Sequence, residues 1–318
     1  MTGPTPPLSE ASQAGAPQLG SRSARRGANL AETLAAWALV GPALLLLLIL
    51  SFLPVIAVFV IALTDWQFGA STLSYVGLAN FREIFSDNEF RASLANTTVY
   101  VLIVVPGTVI LGLAIALLIE SGKTLRAFYR AIHFLPFMGT LTAMAIAWEA
   151  LLHPTVGLVN QVLSAAGLPT ANWLHDASTV LPVLAVIGVW QNLGYAMVLF
   201  LAGLKSIPQD LYDAAAIDGA DSWGDRLRTV TLPMLGPVSM FVVIVVALRA
   251  FETFDTVQIL TQGGPGNASS MLLFTLYRES FEYLRTGYGA AVSVVFLLIV
   301  VALALIQARV MDKRVHYQ

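Results

Sequence analysis

Long apolar stretches, separated by shorter polar segments, dominate the sequence from about residue 35 onward. A helix that crosses the hydrocarbon layer of a membrane needs roughly 20 mostly apolar residues, and it must satisfy its own backbone hydrogen bonds. Six stretches meet this requirement. The pattern therefore predicts an all-α integral membrane protein with spans at about 35–62, 94–119, 131–152, 179–203, 233–260 and 286–308.

The first 30 residues differ from the rest of the chain. They are rich in Pro, Gly, Ser and Ala and include three Arg, a composition that buries too little apolar surface to offset the entropy of ordering. We expect 1–30 to be a disordered cytoplasmic tail and 31–318 to be one membrane domain. The apolar stretch that follows is too long for a cleaved signal peptide, so the first span is expected to remain as an anchor.

The basic residues give an orientation, because Lys and Arg near the ends of spans stay on the cytoplasmic side. With the N-terminus inside, twelve of the 17 Lys and Arg residues lie in cytoplasmic segments, four lie on the opposite side and Arg249 lies within a span. The sequence therefore predicts that both termini are cytoplasmic.

Composition excludes several classes of protein. Hydrophobic residues make up 57% of the chain and charged residues 11%, the net charge is −2, and there is no Cys. These values exclude an ordinary soluble domain, a basic surface for nucleic acid, disulfides and thiolate metal sites. The Gly122-Lys123-Thr124 sequence is not a P-loop, because Leu117 stands where that motif needs Gly. We therefore expect no ATP site and no cofactor in this chain.

The cytoplasmic segment 206–232 has a pattern typical of a helical hairpin. Pro208 suits the first turn of a helix, and Asp210 suits the positive end of its dipole, so a short helix is predicted at about 208–217. Gly219 can take the left-handed conformation that ends a helix. Asp221 or Ser222 can cap a second helix running toward Thr231. From this pattern alone, a hairpin lying on the membrane surface is as probable as a docking element.

Residues of this hairpin resemble the EAA loop of bacterial ABC importer permeases, whose signature is Glu-Ala-Ala, Gly and then Ile-x-Leu-Pro. The matching residues are Asp213-Ala214-Ala215, Gly219 and Val230-Thr231-Leu232-Pro233. Asp213 replaces the usual Glu, and the stretch from Gly219 to Val230 is one residue longer than usual. The resemblance implies a coupling helix that docks on a cytoplasmic ATPase through Asp213, Ala214, Ala215, Asp218, Gly219, Leu232 and Pro233.

The resemblance extends over nearly the whole chain after the tail. Seven further blocks, in order, are similar to the sugar-type permeases related to the membrane subunits of the maltose transporter: 64–66, 76–81, 96–97, 157–160, 201–204, 261–265 and 287–291. This resemblance implies the six-helix transmembrane domain of type I ABC importers, in the cytoplasmic (inner) membrane of a bacterium.

The same resemblance implies partners. A second permease subunit would complete the pore as a heterodimer, and an ATPase dimer carrying ATP and Mg²⁺ would bind the coupling loops. An extracellular or periplasmic solute-binding protein would deliver the substrate. The chain would be a transport subunit in the lipid bilayer, with no enzymatic activity and no nucleic acid partner.

Charged side chains at membrane depth are costly and are normally paired or face water. Arg249, Glu252 and Asp255 are three residues apart in the predicted fifth span, on one helical face. They form either a buried ion pair between Arg249 and Glu252 that holds span five to its neighbours, or a polar wall of the solute path.

Gln191, Asn192 and Tyr195 in the fourth span are further candidates for the path. Amides donate to and accept from sugar hydroxyls, and an aromatic ring can stack on a sugar. Hydrogen bonding between helices is the competing interpretation.

The expected substrate is a neutral mono- or oligosaccharide, because Arg249 is the only cation within a span and has an acid nearby. Import of glycerol-3-phosphate or a polyol is the alternative, since phosphate favours fixed positive charge. A polytopic membrane enzyme is an alternative of a different class, but the four His are scattered along the chain. A channel has no obvious need for a docking loop.

Overall fold

The computed structural model describes residues 22–122 and 124–314, where regular structure is helical apart from one isolated bridge between Thr64 and Tyr75. The helices are α1 (Arg22–Leu47), α2 (Leu53–Ile61), α3 (Ala79–Ser86), α4 (Asn88–Ser121), α5 (Arg126–Met138), α6 (Leu141–Leu151), α7 (Leu158–Ala165), α8 (Val180–Lys205), α9 (Gln209–Ile217), α10 (Trp223–Arg226), α11 (Leu232–Met234), α12 (Gly236–Phe251), α13 (Asp255–Leu260), α14 (Leu272–Tyr277) and α15 (Thr286–Arg314). Single π-helical turns occupy Leu48–Phe52, Leu227–Thr231 and Arg278–Glu282.

Five helical segments of the described chain are long and apolar enough to cross a membrane. They are Glu32–Ile61, Asn88–Ser121, Val180–Lys205, Gly236–Leu260 and Thr286–Arg309. A bent pair, Arg126–Met138 with Thr142–Leu151, gives a sixth span if it is counted as one. The all-α membrane fold expected from the sequence is confirmed.

The chain divides into two compact units, residues 1–57 and 58–318. In the first unit α1 begins at Arg22 and so includes residues 22–30 of the predicted tail. Ala and Arg are strong helix formers, and a helix nucleated in the apolar stretch extends into them at little cost. Residues 1–21 of the predicted tail lie outside the described residues.

The predicted third span, 131–152, is not one continuous helix. α5 and the helix that follows it meet at an angle of 102°. Gly139 and Thr140 have extended backbones, with ψ of 150° and 133°. Pro136 lacks an N–H and so removes one hydrogen bond from the last turn of α5. Because the residues on both sides of the break are apolar, hydropathy alone does not reveal it.

The second span is longer than predicted at its N-terminal end. α4 begins at Asn88 rather than near residue 94, because the Asp87 carboxylate accepts a hydrogen bond of 2.8 Å from the Glu89 N–H and caps the helix. The segment that follows α13 lies against α4. The Asn96 amide donates to the carbonyls of Asn267 and Ser270, at 2.8 and 3.0 Å.

Small residues on α8 allow the helices of the second unit to pack closely. A Cβ on Gly188 would lie 2.2 Å from the Tyr100 hydroxyl of α4, and one on Gly194 would lie 2.1 Å from the His133 carbonyl of α5. Such backbone contact is typical of helix packing in membranes. α8 is therefore the element against which α4 and α5 are positioned.

Candidate functional site

The segment 206–232 forms a helical hairpin between α8 and the fifth span. α9 begins after Pro208, which has an extended backbone (ψ 138°), and Asp210 lies in its first turn. The hairpin is attached to the helix bundle, because Ile207 and Val230 are buried in a core cluster that also includes residues of α4, α8 and α12.

Gly219 ends α9 in a left-handed conformation with φ of +93°. The Ala220 N–H donates to the Ala215 carbonyl at 2.8 Å, and the Gly219 N–H donates to the Ala216 carbonyl at 3.2 Å. These two bonds are a Schellman motif, which satisfies carbonyls left free at the helix end. The chain therefore turns sharply where the sequence predicted a stop.

Ser222, one of the two predicted caps, begins the second helix. Its hydroxyl accepts from the Asp225 N–H at 3.1 Å. After α10 the helix passes through the π-turn Leu227–Thr231, which the Leu232 N–H closes by donating to the Leu227 carbonyl. A π-turn holds one residue more than an α-turn. The π-turn overlaps the stretch from Gly219 to Val230, which is one residue longer than usual, and it can hold the additional residue.

Side-chain hydrogen bonds join the two arms of the hairpin. The Tyr212 and Thr231 hydroxyl oxygens are 3.1 Å apart, and the Arg226 Nε donates to the Ala220 carbonyl at 3.1 Å. The two helices are thus fixed relative to each other.

The predicted docking residues lie mainly on the surface of this hairpin. Asp213 and Asp218 are exposed, as are Ala214, Gly219 and Pro233, whereas Ala215 is half-buried. Leu232 is 42% exposed. Two apolar side chains that the motif did not indicate are also strongly exposed there, Ile217 at 87% and Trp223 at 66%. The hairpin presents a mixed apolar and acidic surface.

A cavity of about 380 Å³ brings together the predicted path residues of the fourth and fifth spans. Five of the six candidates line it: Gln191, Asn192, Arg249, Glu252 and Asp255. The sixth, Tyr195, stacks on Phe137, which also lines the cavity, with ring centroids 4.8 Å apart.

The predicted ion pair between Arg249 and Glu252 is absent. Among the residues that the structure describes, no carboxylate forms a salt bridge with Arg249, and both side chains belong to exposed residues. The regular helix ends at Phe251, and Glu252 and Asp255 lie on either side of a break before α13. The Arg249 guanidinium instead lies over the rings of Phe137 and Tyr195, at 4.7 and 5.2 Å from their centroids.

Several lining residues were missed from the sequence. Tyr100, Phe137, Gly139, Thr253, Phe254 and Thr256 also contribute to the wall. Aromatic rings within apolar spans give no signal in the hydropathy pattern, and two of them, Phe137 and Phe254, lie next to the breaks at Gly139 and after Phe251. The Asn192 amide donates to the Gly188 carbonyl of its own helix at 2.9 Å rather than to a neighbouring helix.

An ion cluster joins the start of α4 to the start of α15. Arg285 binds Glu83 of α3 and, at 3.2 Å, the carboxylate of Glu279, while Arg278 pairs with Glu89. Glu279 is only 3% exposed. Burial raises the pKa of the Glu279 carboxyl, and the nearby Arg285 only partly opposes this shift.

Comparison with known proteins gives related sequences over most of the chain. A family model described as "Binding-protein-dependent transport system inner membrane component" matches residues 108–317. A probable ABC transporter permease protein of Pyrococcus horikoshii is 31% identical over 266 residues, covering 83% of this chain and 91% of that protein. The probable ABC transporter permease protein YurN of Bacillus subtilis is 34% identical over 273 residues, covering 84% and 92%.

A relative with a named substrate is also similar. The sn-glycerol-3-phosphate transport system permease protein UgpA of Agrobacterium fabrum is 33% identical over 283 residues, covering 88% of this chain and 95% of that protein. Among solved structures, a chain of a bacterial ABC transporter involved in the import of the acidic polysaccharide alginate has the same fold. Its TM-score is 0.79 at 20% identity, covering 91% of this chain and 99% of that one.

Proposed function

The chain belongs to the family of binding-protein-dependent transport system inner membrane components, and on this premise we propose that its cavity conducts a neutral carbohydrate. The expectations of an ABC importer permease in the inner membrane, and of a transport subunit rather than an enzyme, are confirmed. Such a permease works with an ATPase and a periplasmic binding protein. That a different permease subunit completes a heterodimer is part of our proposal.

The composition of the cavity wall carries the proposal of a neutral sugar. Carboxylates accept hydrogen bonds from hydroxyl groups, and amides both donate and accept. Two carboxylates, Glu252 and Asp255, share the wall with a single cation, Arg249, which is already held by two rings. A phosphate dianion would meet net repulsion there, whereas a polyhydroxylated neutral solute can use every polar group.

Glycerol-3-phosphate is the second candidate. It is supported by the relative named as a glycerol-3-phosphate permease and by the absence of a salt bridge to Arg249 within the described residues. A guanidinium that no carboxylate neutralises is a good phosphate ligand.

Neutralising the two carboxylates is expected to have opposite effects on the uptake of the two solutes. We would reconstitute the transporter with its partners and measure ATP-dependent uptake of a panel of neutral sugars and of sn-glycerol 3-phosphate. For a neutral sugar, the double variant Glu252→Gln with Asp255→Asn lowers uptake, because each carboxylate exchanges one acceptor oxygen for an NH2 donor and loses the charge that strengthens its hydrogen bonds. Higher uptake of glycerol phosphate by this variant would replace our proposal with the second candidate.

The matched control for this experiment is Glu149→Gln. Glu149 is exposed on α6 and does not line the cavity. Its neutralisation is expected to leave uptake of either solute unchanged.

We further propose that the hairpin is the contact through which the ATPase drives the pore. A partner can shift a conformational equilibrium only by binding its two states differently, and the exposed hairpin offers a rigid surface for such binding. We expect Asp213→Lys to insert normally but to lose ATP-dependent uptake, and Asp213→Glu to retain it. Undiminished uptake by Asp213→Lys in membrane vesicles would refute the role given to this carboxylate.

The membrane-enzyme alternative receives no support from the site. Within residues 22–122 and 124–314, no three His, Asp or Glu side chains converge to hold a metal ion. The family assignment points to transport.

A further inference from the structure

Three helices meet at one side of the cavity through an arginine and two rings. Arg249 of α12 lies 4.7 Å from the ring centroid of Phe137 in α5 and 5.2 Å from that of Tyr195 in α8. The two rings are nearly parallel, with an interplanar angle of 20°. Phe134 extends the cluster, its ring centroid 5.3 Å from that of Phe137.

This cluster lies at the end of the cavity nearer the predicted cytoplasm. Tyr195 is ten residues before Lys205, the cytoplasmic end of α8, or roughly 15 Å along the helix axis. Gln191, which lines the cavity, is one turn further toward the outer side, and Glu252 and Asp255 follow Arg249 in the same direction. The rings and the guanidinium therefore form a floor at about mid-membrane.

The floor is joined to the break in the third span. Phe137 is the penultimate residue of α5, two residues before the extended connection at Gly139 and Thr140. The backbone of α5 also touches α8 at Gly194. A change in the angle at this break would move Phe137 away from Arg249 and Tyr195. The cluster therefore stays intact only while α5 keeps its position.

We infer that Arg249 is a positioning residue that closes the cavity toward the cytoplasm by holding Phe137 and Tyr195, and that inward opening requires its release. This inference rests on the proposed transport role but gives Arg249 a task separate from solute contact. A cation–π contact suits a gate, because it is weaker than a buried ion pair and leaves no unpaired carboxylate when it opens.

The chain has no Cys, so a single introduced cysteine can report access to the cavity. In Gln191→Cys, the thiol would face the cavity one turn above the floor. We would assemble the complete transporter without nucleotide or solute in inside-out vesicles, add a charged membrane-impermeant thiosulfonate, and follow the mass shift of this chain alone.

In this background, Phe137→Leu and Arg249→Gln are expected to raise the labelling rate from the cytoplasmic side about fivefold or more, because the first removes one cation–π contact and the second removes both. Arg249→Lys should give an intermediate rate, because it keeps the charge but loses the planar group. Phe128→Leu is the matched control: Phe128 lies on the same helix, is 58% exposed and contacts Tyr129 rather than Arg249.

Unchanged labelling in both test variants would overturn the inference and leave Arg249 as a solute contact at most. Should Phe137→Leu fail to insert, Tyr195→Leu removes the other ring that Arg249 contacts, on α8, and decides the question. Because no solute is present, the labelling result is independent of the proposed substrate. If labelling rises while none of the tested sugars is transported, the result supports the role of Arg249 in closing the cavity and contradicts the proposal of a carbohydrate substrate.

Discussion

Gly219 adopts a backbone conformation that other residues reach only with strain. Its φ is +93°, and a Cβ built on it would meet nothing within 4 Å. Substitution by Ala therefore destabilises this turn only through the backbone conformation, at a cost of about 1 kcal/mol. The sequence predicted this glycine correctly, because the demand of a helix end for a positive φ is local.

We expect Gly219→Ala to loosen the end of α9. A loss of about 1 kcal/mol corresponds to roughly a fivefold rise in hydrogen exchange of amides that open locally. Exchange in residues 209–217, measured by mass spectrometry, checks this. Gly224→Ala is the control, since Gly224 is helical and a Cβ built on it would lie no closer than 3.8 Å to another residue, the Ser222 hydroxyl. Equal exchange rates of these amides in both variants would show that residue 219 does not have to be glycine to hold a positive φ.

The buried carboxyl of Glu279 makes stability depend on pH. Its pKa is raised by burial, so the folded protein binds this proton more tightly than the unfolded chain does. The stability that this group contributes is present at low pH and is lost as pH rises through its folded pKa. Nothing in the local sequence indicated this, because the burial of Glu279 depends on the fold around it.

Glu279→Gln is therefore expected to raise the melting temperature of the detergent-solubilised protein at neutral pH, with the gain disappearing in acid. Thermal unfolding between about pH 4 and pH 8 measures this difference. Glu282→Gln, at an exposed position one turn away, serves as the comparison. A neutral-pH loss of stability in Glu279→Gln would mean that its bond to Arg285 outweighs the burial of its charge.

Among the elements, the π-turn Leu227–Thr231 explains how the longer loop keeps its geometry. The extra residue is contained within one wide turn, so the residues on either side keep the helical phase that an α-turn would give them. Thr231 consequently still reaches Tyr212 across the hairpin. The sequence comparison identified the additional residue but not where the backbone accommodates it.

Deletion of Thr229, an exposed residue within this turn, should convert the π-turn to an α-turn and leave uptake nearly unchanged. Deletion of Val238 in α12 is the contrasting case, because it rotates the following helix by about 100° relative to its partners and should abolish uptake. ATP-dependent uptake and the amount of inserted protein would be measured for both. Loss of uptake in a normally inserted Thr229 deletion would show that the wide turn itself is required.

The breaks in the third and fifth spans are the elements that the hydrophobic pattern described least well. Lipid requires apolar residues over a certain length, and a helix of two pieces satisfies that requirement as well as a straight one. Pro136 and Gly139 were visible in the sequence, but proline occurs in many unbroken membrane helices, including α4 with Pro106. Only packing against α8 distinguishes the two outcomes.

At the scale of the whole molecule, the bilayer allows the spans to be predicted from the sequence, but it gives no information about contacts between the helices. The apolar spans follow from hydropathy because lipid is a uniform solvent. The contact of Arg249 with two rings depends instead on which helices are neighbours. The spacing of three charged residues therefore suggested a salt bridge that the described structure does not contain.

The orientation of the chain can be tested directly, because an introduced cysteine is the only thiol in it. Asp221→Cys places a thiol on the exposed hairpin, and Ser164→Cys places one on the exposed surface of α7. With the basic flanks inside, an impermeant maleimide should label residue 221 only in inside-out vesicles and residue 164 only in right-side-out vesicles. Each variant controls for the sealing of the other's vesicles. Labelling of residue 221 from outside would place the hairpin beyond the reach of any cytoplasmic ATPase, and the proposed coupling would then be impossible.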